Sequence, residues 1–303
     1  MPSALGGRPA LAAGALVINA FVWGVSWWPF RELQGYGLHP LWATALIYAL
    51  ATLVVLAWRP MAWRGLLAHP GLWLLALASG LTNIGFNWAV TIGDVVRVVL
   101  LFYLMPAWSV LVAWLLLGER PNAGSLMRLG LALLGVVIVL KTPGSPWPLP
   151  QDAADWLALL GGLCFAVTNV LLLKHGNTPS EGRMMAMFGG GAVMATLAAL
   201  GGMAAQVVAA PLLPGPAVPV ALGLCLAFLI SNLALQYGAA RLAASTTALV
   251  MLTELLFASV SSAWLGAAEF STRTWVGGGL IVLAAIWAAR ASAPAPKTPS
   301  DPA

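Results

Sequence analysis

Residues 93–121 read GDVVRVVLLFYLMPAWSVLVAWLLLGERP, an apolar run of membrane-spanning length that carries Pro106 within it and Tyr103, Trp108 and Trp114 around it. A related stretch returns about 150 residues later. Residues 243–270 read AASTTALVMLTELLFASVSSAWLGAAEF and set Glu254 opposite Met105, beside the position of Pro106. A chain that repeats a broken, aromatic-lined helix reads as a membrane transporter.

Composition agrees with that reading. The 303 residues are 61% hydrophobic and 8% charged, with a mean hydropathy of +0.91, whereas soluble domains carry about 25% charged residues. The net charge of +5 comes from 14 Lys and Arg placed singly, so no basic cluster follows a phosphate backbone and nucleic acid is not an expected partner. Cys164 and Cys225 both fall inside apolar runs and imply no disulfide framework. The first apolar run, Leu11 to Phe30, is as long as a full span rather than a signal-peptide core and reads as the first helix.

Apolar runs of about 20 residues between Pro, Gly and polar punctuation fall at 11–31, 39–58, 71–92, 95–117, 124–141, 153–174, 184–208, 219–240, 245–267 and 273–290. These predict an all-α integral membrane protein of ten transmembrane helices. Short connections make consecutive helices antiparallel hairpins, and residues 292–303, rich in Pro, Ala and Ser, have nothing to bury and should be disordered. With the N-terminus inside, Arg8, Arg59, Arg64, Arg120, Arg128, Lys174, Arg183, Arg241, Arg290 and Lys297 face inward, against Arg31, Arg97, Lys141 and Arg273 outside. Positive charge is retained on the cytoplasmic side, so both termini are expected there.

Sliding the chain by 149 residues pairs Asn83 with Asn232, Asn87 with Gln236, Trp88 with Tyr237, Gly130 with Gly279 and Leu131 with Leu280. Residues 1–148 and 149–291 then form two repeats of five helices each. An odd number of helices per repeat turns one upside down relative to the other, a recurring plan of secondary transporters with the site at the repeat interface.

The ten-span layout, Trp23-Gly24-Val25-Ser26-Trp27 in the first helix, Pro106 in the fourth and Leu117-Gly118-Glu119-Arg120 at its exit together resemble the drug/metabolite transporter superfamily, in its EamA-type repeat. The aromatic first half and the Asn83/Asn87 helix are most similar to the YddG-like aromatic amino acid exporters. The resemblance implies export of amino acids, or of similar small amphipathic metabolites, across a bacterial inner membrane. In the second repeat the Glu-Pro pair of the pattern is replaced by Glu254-Leu255, so a second kink is not assured.

The residues themselves point to the middle of the bilayer. Ser79, Asn83, Asn87 and Thr91 recur every four positions on one helix face. Such a stripe serves either interhelical bonding or a cavity wall, where an amide offers both donor and acceptor. Pro106 removes a backbone donor and kinks its helix, as a packing device or as a gate. Trp42, Trp58, Trp63, Trp73, Trp147, Trp156, Trp275 and Trp287 lie near span ends and read as interfacial anchors. Trp23, Trp27, Trp88, Trp108 and Trp264 lie deeper, either to pack in the core or to stack on a planar or cationic solute, and Tyr103 and Tyr237 join them as candidates. Glu254 is an acid well inside a span, where an ionisable group is a functional hypothesis by default. It could bind a substrate ammonium, carry a coupling proton, or pair with a helix carbonyl.

His39, His69 and His175 sit at span ends with no metal-ligand spacing. No Walker-type phosphate loop and no nucleophile-base set at one depth is present, so neither ATP-driven pumping by this chain alone nor enzyme chemistry is expected, and no cofactor. Gly189-Gly190-Gly191 and Gly277-Gly278-Gly279 read as close-packing surfaces. The expectation is a carrier working by alternating access at a site among the third, fourth, eighth and ninth helices. An exporter of cationic drugs or other metabolites, or a non-transporting scaffold or receptor, are the alternatives.

Overall fold

The computed structural model describes residues 9–92, 98, 101–140, 150, 152–265 and 272–291. Arg8, Arg97, Lys141, Trp147 and the tail from 292 lie outside the described residues, as does the side chain of Thr91. The described chain is helical with no strand. Its helices are α1 (Pro9–Val25), α2 (Trp27–Gly35), α3 (Pro40–Trp58), α4 (Ala62–Ala68), α5 (Gly71–Ile92), α6 (Met105–Leu117), α7 (Ala123–Leu140), α8 (Ala153–Lys174), α9 (Ser180–Ala204), α10 (Ala217–Ala239), α11 (Ala244–Met251), α12 (Thr253–Trp264) and α13 (Thr272–Ala291).

Six helices among the described residues are long and apolar enough to cross a bilayer, or seven if the α4–α5 pair, bent by 110°, counts as one span. The apolar stretches Met105–Leu117 of α6, Ala123–Ile138 of α7 and Trp275–Ala288 of α13 are shorter. Each expected segment has a helix over most of its length. The differences have local causes. Ser26 breaks the first segment into α1 and α2, its hydroxyl donating to the Trp23 carbonyl at 2.8 Å. α9 begins a turn earlier than expected, directly after Pro179. α4 was not foreseen. The Arg59 and Arg64 guanidiniums lie 5.0 Å and 5.4 Å from the Trp58 and Trp63 rings at its start, an arrangement suited to the membrane interface.

Both broken spans break at positions related by the 149-residue shift. Tyr103 and Leu104 form a turn ahead of α6, and Leu252 alone separates α11 from α12. In the first break Pro106 supplies no N–H for the Phe102 carbonyl, and Ala107 N–H reaches back only three residues, to Leu104 O at 2.9 Å. The second break has no proline. There Thr253 Oγ1 donates to the Val250 carbonyl at 2.8 Å, and Leu255 N–H turns to Leu252 O at 3.1 Å, a hydroxyl-backed bend of the kind that Thr introduces. Gly118 closes α6 in the left-handed region at φ 71°, which accounts for the glycine of the Leu117–Arg120 exit.

The sequence suggests that consecutive helices pack on one another, yet the most extensive interfaces join the two halves of the chain: α5 on α8, α1 on α10, α3 on α9 and α7 on α13. Small residues meet at these crossings, where lipid offers no hydrophobic drive and close packing decides association. A Cβ on Gly85 would come within 2.9 Å of the Gly161 Cα, and one on Gly135 within 2.6 Å of the Gly277 carbonyl. The broken spans are held the same way. A Cβ on Gly162 would meet the Phe102 carbonyl at 2.6 Å, and one on Gly24 the Glu254 carbonyl at 2.6 Å.

Gly24→Ala and Gly162→Ala should therefore each lower the thermal midpoint in detergent and reduce folded yield. Gly14→Ala, in the same α1 but with nothing within 4 Å of its Cβ, should leave the midpoint unchanged or raise it slightly.

Two histidines at helix ends make acid sensitivity a second expectation. His39 caps α3, its Nδ1 accepting from Leu41 N–H at 3.2 Å, and partial burial holds its pKa below the ordinary 6.5. His175, at the end of α8, is also held below 6.5, first by burial and then by the charges of Lys174, His69 and Arg183. A lowered pKa means that the unfolded chain takes up protons first, so this stability is present above pH 6.5 and is lost as pH falls towards the folded values. Thermal midpoints should be level from about pH 7 upward and decline below about pH 6.5. His39→Asn, which can still cap the helix, should flatten that decline.

Candidate functional site

Two adjoining hollows, of about 40 and 30 Å³, lie inside the bundle and share Trp23, Thr82, Asn83 and Phe165. Their walls come from both halves of the chain: α1, α3 and α5 on one side, α8, α9 and α10 on the other, with the α11–α12 break at the end. The first hollow has a polar floor of Asn19, Asn83, Ser231 and Asn232. Its aromatic side is built on Phe228, which stacks on Trp23 at 4.7 Å between centroids and on Tyr48 at 6.0 Å. The second hollow lies among Phe86, Phe102 and Phe165, with rings 4.8 to 6.0 Å apart, and ends at Met251 and Glu254.

Trp23, Asn83, Asn232 and Glu254, of the residues singled out in the sequence, are brought to these walls. Asn83 accepts from the Tyr48 hydroxyl at 2.9 Å and donates to the Ser79 carbonyl at 2.8 Å. Tyr103, buried just before α6, is hydrogen-bonded to the Glu254 side chain, so the two broken spans touch through a phenol and a carboxyl. Pro106 is buried in the first turn of α6, and its missing donor is what sets Phe102, a wall residue, against Gly162.

The other candidates lie elsewhere. Asn87 donates to Thr44 Oγ1 at 2.5 Å and serves to bind α5 to α3. Trp27 donates to Ser261 Oγ at 2.9 Å, tying α2 to α12. Trp88 packs with Leu41, Ala199 and Val208. Tyr237 carries the Arg241 guanidinium 3.8 Å above its ring, and Gln236 is buried behind Asn232, bonded to it and to Arg183. Trp264 is 87% exposed and Trp108 packs against Val112 and Ala244; neither reaches the hollows. Trp58, Trp63, Trp73, Trp156, Trp275 and Trp287 are exposed on the outside of the bundle, as interfacial anchors would be.

Asn19, Tyr48, Phe165 and Phe228 were missed. Asn19 had a signal: with Trp23 and Ser26 it falls at i, i+4 and i+7 on one face of the first helix. The two phenylalanines had none, because a phenylalanine in an apolar span looks the same whether it faces lipid or a cavity. A third, larger hollow of about 370 Å³ opens where α6, α7, α10, α11 and α13 end, among Arg120, Arg128, Arg241 and Glu119. It lies on the side that the charge pattern assigns to the cytoplasm.

Residues 10–141 match the EamA-like transporter family. Protein RarD of Streptomyces exfoliatus is 28% identical over 162 residues, which are 50% of this chain and 48% of that protein; the chain thus spans about half the length of this curated relative. A crystal structure of a protein with 17% identity superposes with a TM-score of 0.75 over 93% of this chain and 97% of the other, a likeness of fold.

Between the inner hollows and the large one lies a buried junction of α6, α8 and α11. Val112, Ala166, Val170 and Ala244 pack together there. Within a turn of them, Trp108 Nε1, Ser109 Oγ, both polar atoms of Asn169 and Thr247 Oγ1 are buried without a hydrogen-bond partner among the described residues. Leaving a buried polar group unpaired costs about 1–3 kcal/mol, whereas an apolar group of similar shape avoids the cost. Asn169→Leu should therefore raise the thermal midpoint by about 2 °C or more, and Asn169→Ala, which leaves a void, should not.

Proposed function

We propose that this chain is a secondary carrier of a bacterial inner membrane, with ten spans in two inverted repeats and both termini cytoplasmic, that exports neutral amino acids, aromatic ones among them. The observation that carries the reading is the chamber between the two halves, with stacked rings on one side, amides on another, and the Tyr103–Glu254 contact of the two broken spans at its end. Rings fit an apolar or aromatic side chain, amides a charged head group, and the carboxyl an ammonium. Helix interfaces that map onto one another when the halves are exchanged, α5 on α8 with α1 on α10, and α6 on α8 with α1 on α12, support the inverted repeat. Match to the EamA-like transporter family over residues 10–141 supports transport.

Alternating access gives the buried junction a purpose. Parting α6 and α11 from α8 would wet Ser109, Asn169 and Thr247 and join the chamber to the large hollow. Glu254, bridging the two breaks, is the group that would exchange a proton during that movement. An exporter of cationic solutes is the second reading, favoured by the same carboxyl.

Counterflow in proteoliposomes with labelled phenylalanine, threonine and a quaternary ammonium decides among these. Phenylalanine and threonine should exchange; flux of the quaternary ammonium alone would transfer the case to the cationic reading, and no flux of any solute would sink the carrier. Glu254→Gln should remove the dependence of flux on pH, and an unchanged profile would leave that residue a structural one.

A further inference from the structure

We propose that Arg183 is a positioning residue that fixes which end of the Asn232 amide faces the chamber, and so makes that wall a receptor for a substrate carboxylate. This rests on the amino acid reading above. Arg183 is 6% exposed on α9, and its guanidinium is held by neutral oxygens. Its Nη1 donates to the carbonyls of His175 at 2.9 Å, Gly176 at 2.7 Å and Thr178 at 3.0 Å, and its Nε to Gln236 Oε1 at 2.9 Å.

A guanidinium has donors and no acceptor. The Gln236 atom that meets Nε must therefore be oxygen, whichever way an amide could be drawn. That leaves Gln236 Nε2 for the next link, and it donates to Asn232 Oδ1 at 2.6 Å. Asn232 in turn has only its Nδ2 left. That nitrogen lies 3.3 Å from Met187 Sδ, a weak acceptor on the same chamber wall. The chain runs one way, from a permanent cation to an N–H pair with no strong partner.

Asn19 supplies the opposite polarity beside it. Its Nδ2 donates to the carbonyl of Ser231 at 3.0 Å, which can only accept, and to the hydroxyl of the same residue. Its Oδ1 is therefore fixed on the other side, 1% exposed as a residue and without a partner among the described residues. Asn19 and Asn232 both line the first hollow, so an unspent acceptor and an unspent donor belong to one chamber. An α-amino acid offers both a carboxylate and an ammonium to such a pair. A simple amine would leave the Asn232 donor unanswered.

Gln236→Glu tests this by reversing the chain. A carboxylate of the same shape accepts from Arg183 but cannot donate to Asn232, whose amide must turn its Nδ2 outward to the new acceptor and its Oδ1 to the chamber. Phenylalanine and phenethylamine, which differ by the carboxylate alone, are the probes in proteoliposomes. The wild type should prefer phenylalanine. In Gln236→Glu its KM should rise about tenfold or more, the loss expected for a hydrogen bond to a charged group, while that for phenethylamine stays level or falls. Asn232→Asp, which cannot donate, should shift the ratio in the same direction even if the first variant does not fold. On the wild type alone, 3-phenylpropionate should inhibit phenylalanine flux more strongly than phenethylamine does. A KM ratio that stays fixed in the variants, or stronger inhibition by phenethylamine, overturns the proposal. A wild type that moves neither phenylalanine nor phenethylamine overturns the amino acid reading itself.

Discussion

A carbonyl set free inside a bilayer has no water to turn to, and the shape of this molecule follows from how two such carbonyls are answered. Pro106 frees the Phe102 oxygen, which lies against Gly162 of α8, where no Cβ stands in the way. Contact of that kind, with a glycine Cα–H facing the oxygen, is weak alone but adds close packing along a whole helix face. The second break is closed from within, by the Thr253 hydroxyl on the Val250 carbonyl. Its outer turn then nests on Gly24 of α1. The first helix of each half thus holds the broken span of the other half at a glycine, and the chamber is what remains between them.

Those glycine contacts also explain why the halves interleave instead of standing side by side. Each close crossing, α5 with α8 and α7 with α13, has glycine on both helices, and each partner belongs to the other half. Side chains of ordinary size between consecutive helices would allow no such approach. Interleaving brings Asn83 of α5 and Asn232 of α10 into one wall, although 149 residues separate them in sequence.

Much of this was legible in the chain. Helix limits follow from apolar length, the first break from Pro106, and the pairing of amides from the 149-residue shift. Glu254 stood out by charge alone. The second break was not legible, because threonine in an apolar span usually bonds back without interrupting the helix, and only the position of Thr253 opposite the proline break gives it that role. Spacing also failed to separate Asn83 from Asn87, or Asn232 from Gln236. Residues four apart share a face, but a chamber of this size touches about one turn of each helix. Tertiary packing decides which turn, so Asn87 binds Thr44 and Gln236 binds Arg183, each one turn too far along.

Two sets of buried polar groups, around Arg183 and at the α6–α8–α11 junction, pull in opposite directions. Arg183 gathers the end of α8, the loop that follows it and α10 through charge-assisted bonds, each stronger than a neutral one. At the α6–α8–α11 junction Asn169, Ser109 and Thr247 have no partner among the described residues, and every such group favours a state in which water reaches it. A protein built only for stability would fill that junction with leucine. For the proposed carrier, a junction kept polar and buried beside a latch made of donors suits two conformations of similar free energy, between which a modest difference in solute affinity would choose.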